Sequence, residues 1–140
     1  MIDILRRSIA CAAIVAGSVL APAAVASAAV TVPFQIDPAP FGNPNGSFDV
    51  PPVRCVAVVG EQSGTVMIAG GKEGRWGCLL PGNVHWLNLS TGASGSAPMS
   101  TGMYGYPAAI LPTGTGRVVV AVVVAGSTVI TPGVATIYVP

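Results

Sequence analysis

Residues 113–125 read TGTGRVVVAVVVA, a Thr-Gly turn followed by six valines within the eight residues Val118–Ala125. Valine is stiff at χ1 and packs well on a pleated, half-buried surface, so the run reads as a strand. Its apolar residues are consecutive rather than alternating. That pattern predicts a central strand covered on both faces, or one lying beneath another segment.

The same form recurs outward from this strand. Short runs rich in Val, Ile and Thr predict strands at Val53–Val59, Thr65–Ala69, Trp76–Leu80, Val84–Leu89, Ser96–Met99, Ala108–Leu111, Arg117–Ala125, Thr128–Ile130 and Thr136–Val139. Gly-rich breakers separate them, including GEQSG after Val59, GGKEG after Ala69, PGN after Leu80 and TGASG after Ser90. No window carries an amphipathic helix pattern. Regular short strands with Gly turns predict an all-β fold, a single immunoglobulin-like antiparallel β-sandwich over residues 53–140. Val84-His-Trp-Leu-Asn88 suits a strand with a buried Trp, as in that fold. Cys55 and Cys78 are too close in sequence for its inter-sheet bridge and both precede Trp86, so the likeness is one of architecture.

Upstream, MIDILRR places Arg6 and Arg7 before an apolar run from Ile9 to Ala21, and small residues follow through Ala28. This is the form of a signal-peptide helix, cleaved after Ala28 or, as the alternative, after Ala26. Residues 29–52 form a strap rich in Pro, Asn and Gly that cannot be a helix. It holds Phe34, Phe41 and Phe48, which either plug the edge of the domain or form an aromatic arm for a partner.

Removing 28 of the 140 residues leaves about 112, enough for one domain. The remaining charges, Arg54, Lys72, Arg75 and Arg117 against Asp37, Asp49, Glu61 and Glu73, balance. Without a basic stripe or a recognisable module, nucleic-acid binding is excluded, and so is a polybasic membrane patch. Contact with a membrane is expected only through the signal peptide before cleavage. Cys55 and Cys78 are the cysteines that remain, and export exposes them to oxidising conditions, so they are expected to form a disulfide.

Residue types needed for catalysis are scarce. The sole histidine, His85, lies within an apolar strand, and no Gly-x-Ser-x-Gly elbow occurs. The acids lie in the strap or in Gly turns, so paired carboxylates are not expected to face each other across a cleft. No ligand spacing supports a metal, and no cofactor is expected. GGKEG at 70–74 and TGTGR at 113–117 fail the P-loop pattern and read as hairpin connections. Asn45-Gly-Ser47 and Asn88-Leu-Ser90 match the N-glycosylation acceptor pattern. The candidate contact residues are Tyr104 and Tyr106, bounded by glycines and Pro107, with Trp76, beside Arg75 and near Cys78, as a third that alternatively packs on the disulfide. Loop tyrosines suit a protein or glycan partner, although they equally suit covering the open end of a sandwich.

The segments VHWLNLSTGASG from Val84, TGTGRV from Thr113 and TPGVATIYVP from Thr131 together resemble small secreted proteins of unknown function from mycolic-acid-bearing actinobacteria. The resemblance implies an envelope or extracellular location and carries no catalytic residues across. The expectation is therefore an exported, non-enzymatic β-sandwich that binds a protein or glycan at the cell surface or outside the cell. The alternatives are an oligomeric, pore-like β-barrel of the envelope and a small secreted inhibitor or toxin-like protein.

Overall fold

A computed structural model of the chain describes residues 28–40, 42, 43, 45, 53–70, 78, 82–101, 106–124 and 130–140. Among these residues there is no helix, and eleven strands follow in order. They are β1 (Val30–Pro33), β2 (Ala39–Pro40), β3 (Cys55–Val59), β4 (Val66–Gly70), β5 (Gly82–Asn88) and β6 (Ser94–Pro98). Then come β7 (Ser100–Thr101), β8 (Pro107–Leu111), β9 (Gly116–Val124), β10 (Ile130–Thr131) and β11 (Gly133–Val139). Of the expected strand Trp76–Leu80 only Cys78 is described, and it lies in a turn; the rest of that stretch and the signal peptide up to Ser27 lie outside the described residues.

Two antiparallel sheets carry the fold. The first has the order β1-β3-β4-β8-β7 and the second β11-β9-β5-β6, while β10 and β2 form a short pair of their own. Alternation along each strand sends one set of side chains inward. Ala57, Ile68 and Leu111 from the first sheet and Val84, Val120 and Ile137 from the second belong to one shared buried cluster. The architecture is therefore sandwich-like, with its core between the sheets.

The valine run is β9, central in the second sheet between β11 and β5. Its inward residues Val118, Val120 and Val122 are fully buried. The expectation of cover on both faces is corrected for Val123, which is 43% exposed on the outer face. Consecutive valines here reflect an apolar outer surface, not a second buried one. The Gly-rich connection at 113–117 read as a hairpin also differs: residues 112–115 carry the chain from the first sheet to the second, because β8 belongs to one sheet and β9 to the other, while the hairpin expected at 70–74 lies outside the described residues. A Gly turn indicates reversal but does not say which sheet receives the next strand.

The strap is more ordered than its Pro-rich text suggests. β1 pairs with β3, and the chain then crosses so that Ile36 bridges Val134 of β11. Phe34 sits at the crossing, buried in the shared core, with its backbone N–H donating to the Cys55 carbonyl at 3.1 Å. Gln35 reinforces the second attachment by accepting the Thr136 N–H at 2.6 Å through Oε1. One strap thus covers the β3 edge of one sheet and the β11 edge of the other. Phe34 matches the plug reading, while Phe41 and Phe48 lie outside the described residues.

Candidate functional site

The two ends of the sandwich are built differently. At one end the turn 60–65, the turn 89–93, the crossing 112–115 and Pro140 come together. The Gly64 N–H donates to the Pro140 carbonyl at 3.2 Å, and the Gly114 N–H donates to the Gly64 carbonyl at 2.9 Å. Gly114 needs its glycine, since its φ of 72° lies in the left-handed region.

Asn88 ties this end together. Its Nδ2 donates to the carbonyls of Thr113 and Thr115, both at 2.9 Å. Its Oδ1 accepts the N–H groups of Ser90 at 2.9 Å and Thr91 at 3.1 Å. Both donor hydrogens and two acceptor positions of the amide are used, which is what a buried amide requires. The glycosylation reading of Asn88-Leu-Ser90 is corrected by this burial, since Asn88 has no exposure in the folded chain. Asn45, in the other acceptor match, is exposed.

The opposite end receives the connections 41–54, 71–81, 102–106 and 125–129, because the strands on either side of each begin or end there. Three anchors are described at this end. Cys55 opens β3 and is joined to Cys78 by the expected disulfide, with Cα atoms 4.6 Å apart. Both cysteines are buried, so the bridge ties the 71–81 connection to the first sheet. Asp37 of the strap accepts the Cys55 N–H at 3.3 Å through Oδ1 and pairs with Arg54 at 2.9 Å through Oδ2. Such a disulfide is compatible with an extracellular location.

Tyr106 is the candidate contact residue that the structure describes. It precedes Pro107, the first residue of β8, which pairs with Thr101 across the sheet, and it is 58% exposed. Proline fixes the backbone directly after the tyrosine, and the rung to Thr101 holds that point at the sheet end. Tyr104 and Trp76 lie outside the described residues, although the connections that contain them join strand ends at this same end.

Trp86 is half-buried and packs against the core, lying over Gly95 directly across from it on β6. A Cβ at Gly95 would come within 2.8 Å of the indole, so glycine there makes room for the ring. His85, the residue beside Trp86, points to the outer face and is exposed. Among the described residues no group of three or more His, Cys, Asp or Glu side chains is arranged to hold a metal ion. No family model, curated protein or solved structure matches the chain.

Proposed function

We propose that this chain is an exported, non-enzymatic binding module of the cell envelope or extracellular space, built on an immunoglobulin-like sandwich. It meets a protein or glycan through the end that carries Tyr106. The observation that carries this reading is the contrast between the two ends. One is closed by buried hydrogen bonds around Asn88, while the other gathers four inter-strand connections and presents an exposed tyrosine. Binding residues tend to sit on connections positioned by a rigid scaffold, and tyrosine offers contact area with a polar tip. Tyr104 and Trp76 are proposed to extend the same surface.

Strand order supports the immunoglobulin-like part. With β1 set aside, β3-β4-β8-β7 follows the A-B-E-D order of one sheet of that fold, and β11-β9-β5-β6 follows G-F-C-C′. Trp86 then falls on the strand that carries the characteristic buried Trp. The Cys55–Cys78 bridge departs from the usual link between the second and sixth strands. Export is supported by the signal-peptide pattern of residues 1–28 and is compatible with the disulfide.

The test is a Tyr104→Ala, Tyr106→Ala double variant of the processed protein, assayed for attachment to intact producing cells and their isolated envelope. Attachment should weaken by at least about tenfold, while the melting temperature stays within about 3 °C of the parent. Normal attachment with an unchanged melting temperature would refute the contact surface. A melting temperature lowered by more than about 10 °C would instead mark the tyrosines as packing residues.

A further inference from the structure

The two main sheets end in four edge strands, β1, β7, β11 and β6. Three of them are blunted against further pairing. β1 ends in Pro33, which has no N–H and whose carbonyl already accepts Gln35 Nε2 at 3.2 Å. β11 is bridged by Ile36, and its Thr136 N–H is taken by Gln35 Oε1. β7 is two residues long. β6 has β5 as its one neighbour among the described strands, and its five residues, SGSAP, carry no charge. Charged side chains ordinarily discourage pairing at an edge, and here Pro98 protects only the end of the strand.

The ladder decides which backbone groups of β6 face outward. The Asn88 N–H donates to the Ala93 carbonyl at 2.7 Å and the Met99 N–H to the Gly82 carbonyl at 2.8 Å, so the odd-numbered residues turn their backbone toward β5. Ser94 and Ser96 therefore turn their N–H and C=O groups away from the sheet, without a partner among the described residues. Their side chains are exposed on the outer face. On the inner side Trp86, Ala97 and Met99 pack on the core yet stay partly exposed, so the core is incompletely sealed along this edge. The Trp86 indole lies over Gly95, where a Cβ would come within 2.8 Å of it.

We infer that the outer edge of β6 is a strand-addition site whose occupant is β6 of a second copy, paired antiparallel about a two-fold axis at Gly95. Unpaired backbone groups at strand spacing are matched by another extended backbone, and hydrogen bonding selects this one register. Ser94 of each copy faces Ser96 of the other, and each such pair exchanges two hydrogen bonds, so every outward N–H and C=O of the two serines is used. A shift one way would set the Ser94 carbonyl against Pro98, which has no N–H. A shift the other way would set the Ser96 carbonyl against Gly92, whose N–H already donates to the Asn88 carbonyl at 2.8 Å. In the selected register the two copies of Gly95 lie opposite each other with Cα atoms about 4.5 Å apart. The two indoles then approach each other over the paired glycines, where larger residues would displace them. A contact one strand long falls short of the about 800 Å² per partner that stable complexes bury, so the pair is transient and concentration-dependent. Reversed strand direction points the two Tyr106 ends away from each other, so this pairing and binding at that end are tested independently.

Sedimentation velocity of the processed protein up to about 1 mM, with amide hydrogen exchange at the same concentrations, tests the pairing. The protein should pass from monomer to dimer as concentration rises, and exchange at the Ser94 and Ser96 amides should slow in step. Ser96→Pro removes an outward N–H and no bond to β5, a position where an edge strand tolerates proline. It should weaken association by at least about tenfold while the melting temperature stays within about 3 °C of the parent. A Ser94→Lys, Ser96→Lys double variant leaves the backbone unchanged and sets like charges opposite each other, so it should weaken association as well, less at high salt. Thr31→Pro removes the corresponding outward N–H of β1 and should leave association unchanged. A monomer at every concentration would overturn the inference, as would a dimer whose Ser94 and Ser96 amides exchange as in the monomer. Equal effects of Ser96→Pro and Thr31→Pro would do the same. Should Ser96→Pro be unfolded, the double lysine variant decides, and association as tight as the parent's would overturn the pairing.

Discussion

Asn88 shows how much one side chain can hold when it is buried with every polar atom satisfied. Its four hydrogen bonds join the end of β5, the turn after it and the crossing into β9. Replacing it with alanine removes the amide and strands the carbonyls and N–H groups that it served, at a cost set by desolvation rather than by the net value of a hydrogen bond. Asn88→Ala should therefore destabilise the fold by about 3 kcal/mol in urea unfolding, whereas Asn45→Ala, at an exposed position, should stay within about 0.5 kcal/mol. Equal effects of the two would refute the structural role assigned to Asn88. Read in sequence, the two asparagines looked alike, because each opens an Asn-x-Ser triplet. What separates them is the arrival of Thr113 and Thr115, whose carbonyls come from a segment 25 and 27 residues away. Trp86 is the converse case. Its inward placement could be read from a strand of alternating character, but the need for Gly95 opposite it depends on the register of β5 against β6.

At the scale of elements, the strap is the clearest departure from local reading. Four residues of β1 and two of β2 offer too little pattern to be recognised as strands, and the prolines among them suggest irregular chain. They become strands because β3 and β10 present unpaired edges beside them. An edge left bare invites pairing with another chain, and the strap removes that liability on one side of both sheets. Its anchor is Phe34, which is 6% exposed, whereas Val30 at its start is 53% exposed. Phe34→Ala should accordingly cost about 3–4 kcal/mol, and Val30→Ala less than about 1 kcal/mol. Urea midpoints at constant m-value would measure both. A Phe34→Ala variant as stable as the parent would mean that the strap adds little to the fold. The β3–β4, β5–β6 and β9–β11 segments were more legible, since each pairs with a near neighbour in the chain and carries its own alternation or β-branched run.

For the whole molecule, the proposed cleavage point and the start of the folded strands fall at the same point of the chain. Ala28 and Ala29 are exposed, and β1 begins at Val30. Intact mass of the released protein should therefore give a first residue of Ala29, as the small-residue pattern before it predicts. Retention of Met1 would refute processing. The sequence by itself determined the all-β character, most strand positions and the pairing of the two cysteines left after the expected cleavage. These follow from local propensity, from side-chain period and from the chemistry that paired cysteines would meet on the expected export, none of which needs a distant partner. Tertiary structure alone decided which sheet each strand joins, that one strap serves both sheets, that Asn88 is a buried pin, and which backbone groups of β6 turn away from β5. Side-chain period assigns residues to one face or the other of a strand, but only pairing and sheet packing decide which face meets the core and which neighbours share its rungs.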